Sequence, residues 1–300
     1  MIQKEDVTVV LPALNEKEAV ESVIRELKQE GYKNIIVIDG YSDDGTFELA
    51  QQNGVKVTRQ HGVGKSMAIK TAIEQVKTPF LIVMDADCTY AAEDIAKFLP
   101  HSTSYDEIIG FRTNGRGNIP WLNRLGNWLI TKSFNFLFGT NLKDVCSGMY
   151  MLRSDFAKQM NLETRGFDVE VEIAAQAAKE ARITQIPINY KDRVGNKKLS
   201  SWKDGFKILT SVWKLARLHN PVFLFSIISA LGMIPAVIIL GWISIELFIS
   251  GTWHAGWSLV GVILLFISIQ SFVISTVAIL LKRMEQRLAE RLKMSRSEST

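Results

Sequence analysis

From Val222 to Ile245, and again from Gly256 to Leu281, the chain carries no charged side chain. Each run exceeds the roughly 20 apolar residues that cross a bilayer. Buried hairpins of soluble proteins seldom need runs this long and this apolar, so residues 221–281 read as two transmembrane helices. Pro235, Glu246 and Gln270 are mild irregularities, while Trp242, Trp253 and Trp257 near the ends suit an interfacial aromatic belt. With an anchor at this end, the chemistry must lie before it.

Charge orients the pair. Residues 197–220 hold six Lys/Arg against Asp204, residues 282–296 hold six against Glu285 and Glu290, and the connection 250–256 holds none. By the positive-inside rule both flanks are cytoplasmic. The expectation is a multi-pass protein of the cell membrane, or of the endoplasmic reticulum in a eukaryote, with the catalytic domain and both termini in the cytoplasm and 282–300 as a basic tail. The flanks carry +5 and +4, which leaves −3 on residues 1–196 within the overall +4 once Glu246 and Glu298 are counted. Basicity thus belongs to the membrane side, which favours anionic lipid or lipid phosphate as a partner and argues against nucleic acid. "MIQKEDVTVV" has charges where the apolar core of a leader would stand, so none is expected. Cys88 and Cys146 are too few for a disulfide framework and the four His are scattered, which speaks against a zinc site.

Along residues 1–190 strand-like and helix-like periods alternate. "VTVVL" (7–11) is a β-branched run, Asn15 with Glu18 suits a capping box, and Ala19, Val23, Ile24 and Leu27 share one helical face. "NIIVI" (34–38), a helix near 46–52, a strand at 55–58, a helix carrying Ile69, Ile73 and Val76, and a strand at 80–84 follow. Such βαβα alternation predicts a mainly parallel, Rossmann-like sheet covered on both faces. Ligands of such sheets sit beyond the carboxyl ends of the strands.

Those ends are polar or acidic: "LPALNE" (11–16), "DGYSDDGT" (39–46) and "DADCTY" (85–90). Asp85 and Asp87, one residue apart at the end of an apolar run, would project together, a geometry suited to a divalent cation. "QHGVGKS" (60–66) fails as a phosphate loop because Arg59 stands where glycine is required. Lys65 is then either a helix-start cation beside the crevice or a solvated surface lysine.

Taken in order, Leu11 to Glu16, Asp39 to Thr46, Gly64-Lys65-Ser66, Asp85-Ala86-Asp87 and "DVCSGMYMLR" (144–153) resemble the family 2 glycosyltransferases of GT-A fold, and more narrowly the dolichyl-phosphate mannose synthases and related polyprenyl-phosphate glycosyltransferases. The resemblance spans about residues 5–205 and implies a GT-A domain over 1–200. The hairpin and "KDRVGNKKLSSWKDGF" (191–206) point to the lipid-phosphate branch. In one departure, Gly40 follows Asp39 where many relatives have a second aspartate.

The resemblance implies transfer of a hexose, with inversion, from GDP-mannose, UDP-glucose or UDP-N-acetylglucosamine to dolichyl or polyprenyl phosphate, supplying lipid-linked sugar for protein glycosylation or cell-envelope glycans. It implies Mg²⁺ or Mn²⁺ on Asp87 and Asp85, bridging the leaving diphosphate. It assigns Pro12, Asn15, Glu16 and Asp39 to the nucleoside end of the donor, with Lys65 and Asp85 among the donor-binding residues. Asp144 matches the family's catalytic aspartate and, with Asp87, completes the catalytic set; it is read as orienting the donor sugar or Lys/Arg partners, since a phosphate acceptor near its second pKa of about 6 needs no strong base. Arg193, Lys197 and Lys198 are assigned to the acceptor phosphate, with an ordinary polybasic membrane patch as the alternative, whereas Arg112, Arg116 and Arg124 could also meet phosphate but read as bland surface charges.

Trp202, Phe206, Leu209, Trp213 and Ala216 fall at helical spacing, so 201–220 reads as an amphipathic interfacial helix. Residues 121–138, with Trp121, Leu125, Trp128, Leu129 and Phe136, are a second candidate, with packing against the domain as the alternative. An oligomer is compatible with all of this. Other classes fit less well: a processive polysaccharide synthase would bring a Gln-x-x-Arg-Trp motif and more membrane helices, and a nucleotidyltransferase a Gly-rich amino-terminal loop. A membrane-anchored nucleotide-sugar-binding protein without activity is separated only by a turnover assay.

Overall fold

The computed structural model describes residues 2–113, 121–162, 169–179, 182–194, 210 and 221–297. The chain divides into two compact units, Met1–Leu215 and Ala216–Thr300.

The first unit is built on one seven-stranded sheet: β1 (Val7–Ala13), β2 (Ile35–Asp39), β3 (Lys56–Arg59), β4 (Phe80–Met84), β5 (Glu107–Arg112), β6 (Met149–Arg153) and β7 (Ile183–Ile188), in the order β3-β2-β1-β4-β6-β5-β7. Its helices are α1 (Lys17–Gln29), α2 (Thr46–Gln52), α3 (Lys65–Gln75), α4 (Trp121–Phe138), α5 (Ser154–Gln159) and α6 (Val169–Lys179). The expected parallel pairing holds for β1 with β2 and β4, β2 with β3, and β5 with β7, while β6 runs antiparallel to both β4 and β5.

Period-two alternation sorts the strand residues into two cores. Val7, Val9 and Leu11 face Val20, Val23, Ile24 and Leu27 of α1, whereas Val10, Ile36, Ile38, Leu81 and Val83 face Ala68, Ile69, Ala72 and Ile73 of α3. Covered on both sides, the central strands read as the near-continuous apolar runs seen in the sequence. The Asn15/Glu18 capping box does not form. Glu16 is the N-cap of α1 without a side-chain capping bond, and Asn15 adopts φ 51° so that its Oδ1 accepts from the Asp43 amide at 3.0 Å. Asparagine tolerates that left-handed backbone better than most residues.

β1 is the switch point of the sheet, with β2 on one side and β4 on the other, the place where the ligand crevice of such sheets lies. Pairing of β1 with β4 ends at Val10↔Val83, but pairing with β2 continues to Ala13↔Asp39. Pro12 sits beyond the end of the β4 ladder, so its missing N–H costs no bond on that side.

The second unit holds α7 (Pro221–Ser250) and α8 (Ala255–Ser297). Its segments Phe225–Ser250 and Ala255–Ala278 have mean hydropathies of 2.2 and 2.3 and are 17% and 22% buried, so both are long and apolar enough to cross a membrane. Small and hydroxyl residues let the pair approach. Ser226 and Ser275 hydroxyls meet at 2.7 Å, Ser229 Oγ donates to the Ser268 carbonyl at 2.8 Å, and Gly261 leaves room for Leu240. α8 continues as helix through the basic stretch to Ser297.

Candidate active site

The chain leaves β4 into Asp85 and Asp87 and turns at once, with Cys88 at φ 64°. Asp87 is 5% exposed. Its Oδ1 accepts from the Thr89 amide at 3.1 Å and from the Thr89 hydroxyl at 2.5 Å, and its Oδ2 lies 3.3 Å from Arg193 Nη1. Arg193 also donates through Nη2 to Glu16 Oε1 at 2.8 Å. Burial and the neighbouring Asp85 charge push the Asp87 carboxyl above the ordinary range, against the pull of Thr89 and Arg193. A buried carboxylate so placed is short of positive charge.

Arg193 arrives on the segment that follows β7, which is stitched across the β4 end. The Asn189 amide donates to Asp94 at 2.7 Å, the Lys191 amide to the Thr89 carbonyl at 2.8 Å and the Val194 amide to the Asp87 carbonyl at 3.0 Å. Lys191 Nζ adds a pairing to Glu26 at 3.2 Å.

Asp85 is held differently. Lys65 Nζ lies 2.6 Å from Asp85 Oδ1 and 2.6 Å from Glu170 Oε1. Its side chain is 11% exposed, so the solvated-surface alternative for Lys65 is wrong: α3 begins under the crevice, and the ammonium is spent on two carboxylates. Burial opposes the Lys65 charge, but Asp85 and Glu170 outweigh it and hold the lysine protonated. On the other flank stands Gly148, where any Cβ would run into the Asp85 carboxylate.

Asp144 forms a bidentate pair with Arg112. Nε donates to Oδ2 at 2.5 Å and Nη2 to Oδ1 at 2.8 Å, with side chains 10% and 12% exposed. The reading of Arg112 as a surface charge therefore fails: β5 ends at the crevice, and antiparallel β6 brings Asp144 to the same end of the sheet. Burial disfavours the guanidinium, yet Asp144 raises its pKa well above the ordinary value. The Tyr190 ring lies under Arg112 at 5.2 Å and meets Tyr90 edge-on at 5.4 Å, and the Tyr90 hydroxyl accepts from the Gly148 amide at 2.8 Å.

At the β1 and β2 ends, Asp39 is fully buried. Its Oδ2 accepts from the amides of Tyr41 and Ser42 at 3.0 and 3.1 Å, and its Oδ1 has no partner among the described residues. The Asn15 amide donates to Ser42 Oγ at 2.9 Å and the Glu16 amide to Thr46 Oγ1 at 2.9 Å, tying the two loops together. Gly45 is the N-cap of α2, and Asp44 before it accepts from the Thr46 amide at 2.9 Å.

The structure thus brings Glu16, Asp85, Asp87 and Arg193 together, with Lys65 and Glu170 beneath Asp85. Arg116, Lys197, Lys198 and the helix expected at 201–220, Thr210 apart, lie outside the described residues. Glu170 and Arg112 are the residues sequence reasoning missed. A signal existed for the first: in "VEVEIAA" two glutamates interrupt an otherwise apolar helix start, and both are buried.

Among the described residues no three His, Cys, Asp or Glu side chains form a metal cluster. Two hard carboxylates at a crevice are the set by which Mg²⁺ or Mn²⁺ is held when phosphate oxygens complete the shell, so the residues present fit such an ion.

Known proteins agree with this architecture. Residues 8–160 match the domain described as Glycosyl transferase family 2. Glycosyltransferase AglJ of Haloferax volcanii is 35% identical over 226 residues, covering 73% of this chain and 75% of that protein. Dolichyl-phosphate hexose transferase of the same organism is 32% identical over 216 residues, covering 70% and 94%. A dolichol-phosphate mannosyltransferase of Pyrococcus furiosus is 25% identical over 252 residues, covering 76% and 69%. The fold matches glucosyl-3-phosphoglycerate synthase from Mycobacterium tuberculosis, solved in complex with Mn²⁺, UDP-glucose and phosphoglyceric acid, at TM-score 0.59 and 18% identity over 70% of this chain and 79% of that one. With that match over its strands and acidic loop, and relatives of this identity over most of their length, the chain is a GT-A glycosyltransferase and belongs to glycosyl transferase family 2.

Proposed function

We propose that this glycosyltransferase moves a hexose from a nucleoside-diphosphate sugar to a polyprenyl or dolichyl phosphate at the cytoplasmic face of a membrane, inverting the anomeric centre. The observation that carries the reading is the pairing, in one chain, of an acidic switch-point crevice with two membrane-length helices. The names of the relatives that act on dolichyl phosphate support the same acceptor class.

Asp87, with Asp85 beside it, would hold Mg²⁺ or Mn²⁺, which when bound neutralises charge on the departing diphosphate. Asp39, with one buried oxygen unpartnered among the described residues, is suited to a donor hydroxyl or base N–H at the nucleoside end, beside Pro12 and Asn15. Asp144 fixes Arg112 rather than taking a proton. A lipid phosphate with a second pKa of about 6 is already largely a dianion at neutral pH, so orientation and charge balance matter more than a base. Arg193, once released from Asp87, and Lys197 and Lys198 are assigned to that phosphate.

A further feature supports contact of this unit with lipid. Ile130, Phe134 and Leu137 bury one face of α4, while Leu125, Trp128, Leu129 and Phe136 stand 45–63% exposed on another, flanked by exposed Lys132. Packing against the domain, one alternative for 121–138, holds for the first face, and the exposed face is left for the interfacial one. An exposed Trp/Leu/Phe stripe beside lysine, in a chain that ends in membrane-length helices, is suited to the headgroup boundary.

The test is turnover of the full-length protein in detergent with radiolabelled GDP-mannose, UDP-glucose and UDP-N-acetylglucosamine, each with dolichyl phosphate and Mn²⁺. Label moving into the lipid phase with one donor supports the reading. Label moving only to water or to soluble saccharide overturns it.

A further inference from the structure

A lysine at the mouth of a nucleotide crevice is ordinarily free to reach for phosphate. Lys65 is not. Both its carboxylate partners lie at 2.6 Å, and leaving them would abandon two negative charges, Glu170 at 7% exposed and Asp85 at 30%. Such a separation is costly where water is scarce. The three groups sum to −1, so the ammonium, shared between two anions, steadies Asp85 without cancelling it. Gly148 closes the opposite side, since any side chain there would occupy the space of the Asp85 carboxylate. Asp85 is therefore boxed by α3, α6 and the turn into β6, three elements remote in sequence.

We infer that Glu170 is a positioning residue of the transfer reaction: by holding the far side of the Lys65 ammonium it fixes the orientation and residual charge of Asp85, without touching substrate. This rests on the transferase reading above and on Asp85 facing the donor. Without the Glu170 charge, the Lys65 ammonium belongs to Asp85 alone. It would settle on that carboxylate and neutralise it, and the four-carbon stem would lose the second anchor that sets its direction. A displacement of about 1 Å in a supporting group can cost about 100-fold in rate.

Glu170→Gln keeps the size and removes the charge. The expected result is a loss of transfer of about 100-fold, mostly in kcat, with a changed Mn²⁺ electron-paramagnetic-resonance spectrum in the presence of GDP or UDP. Because Glu170 acts through Lys65, Glu170→Gln added to Lys65→Met should cost nothing further, whereas independent roles would add. Lys65→Met/Glu170→Leu replaces the clamp with apolar side chains of similar bulk and guards against a variant that fails to fold. It should keep the native circular-dichroism spectrum and thermal midpoint while showing the same low kcat. Three outcomes overturn the inference: transfer by Glu170→Gln within about threefold of the unaltered protein, additive losses in the double variant, or activity restored in the apolar pair. Should the unaltered protein transfer to no lipid, the function reading fails but the resonance measurement still decides the clamp, because it needs only metal and nucleotide.

Discussion

Arg193 stands 3.3 Å from Asp87 Oδ2 while its other nitrogen is held by Glu16. The Asp87 oxygen proposed to take a metal ion thus already has a cation beside it. A dication and a guanidinium at one oxygen repel, so binding of metal and retention of the ion pair compete. Arg193→Gln should raise the affinity of the nucleotide-free protein for Mn²⁺ by about fivefold, the equivalent of about 1 kcal/mol for a partly exposed pair, while transfer to lipid falls. Titration with Mn²⁺ monitored by the free-ion resonance signal checks this, and weaker binding by the variant would refute the competition.

The pair formed by Arg112 and Asp144 is enclosed, bidentate and mutually dependent. Removing one partner leaves a buried charge, which typically costs about 3–5 kcal/mol. Asp144→Ala should therefore lower the thermal midpoint of the protein and abolish transfer, whereas Arg112→Met/Asp144→Leu should recover much of the stability and none of the transfer. A double variant that regained activity would show that the pair is structural only.

Glu107 is 1% exposed, and one carboxylate oxygen has no partner among the described residues. Burial, with the Glu170 charge adding to it, pushes its pKa well above the usual carboxylate range. The folded protein therefore holds this proton more tightly than the unfolded chain, and stability from this group is fully present below the unfolded value and lost as pH rises through the folded one. Thermal midpoints measured in detergent should fall as pH is raised from 5 towards neutrality and beyond. Glu107→Gln, which keeps the shape without a titrating proton, should flatten that fall; an unchanged slope would place the titration elsewhere.

How much of this was legible beforehand follows from what each residue depends on. The amino-terminal strands and α1 to α3 announce themselves because runs such as 80–84 are buried on both faces and end at Asp85, and the two long apolar helices do so by length and lack of charge. Direction is not written in a run: "MYMLR" reads alike either way, so the antiparallel β6, which carries Asp144 to Arg112, emerged only from the topology. The sense of a cation is equally hidden. Lys65 reads either as a crevice cation or as a surface lysine, and Arg112 as a surface charge, because their partners, Glu170 and Asp144, are distant in sequence. The Asn15 cap failed because its side chain was needed by the neighbouring loop at Asp43.

The α4 stripe gives a test of how the domain meets its acceptor. Leu125, Trp128 and Leu129 are exposed, so charged replacements leave packing intact, and surface changes of this kind usually alter stability by less than about 0.5 kcal/mol. Trp128→Lys/Leu129→Lys should reduce transfer to dolichyl phosphate in liposomes by about tenfold, the equivalent of about 1.4 kcal/mol, with donor binding unchanged by calorimetry. Equal transfer by both proteins would return the stripe to ordinary surface.

The last expectation concerns topology. Six Lys/Arg stand in 197–220, six more in 282–296 and none in 250–256, so both basic flanks should be retained in the cytoplasm and the connection between the helices should face outward. Only four residues, 251–254, join the helices, and Gly251 takes φ 69° to end the first, so an outward loop this short offers little beyond Thr252 to a reagent. Single cysteines placed by Thr252→Cys and Ser299→Cys, treated on intact cells with a membrane-impermeant maleimide, should label at 252 alone, and permeabilised cells should label at both. The unaltered chain serves as the control for Cys88 and Cys146, which belong to the catalytic unit and should stay dark until the cells are opened. Labelling at 299 on intact cells, with 252 protected, would invert the assignment and place the crevice, with its donor, on the opposite side of the membrane from the cytosolic nucleotide sugars it is proposed to use.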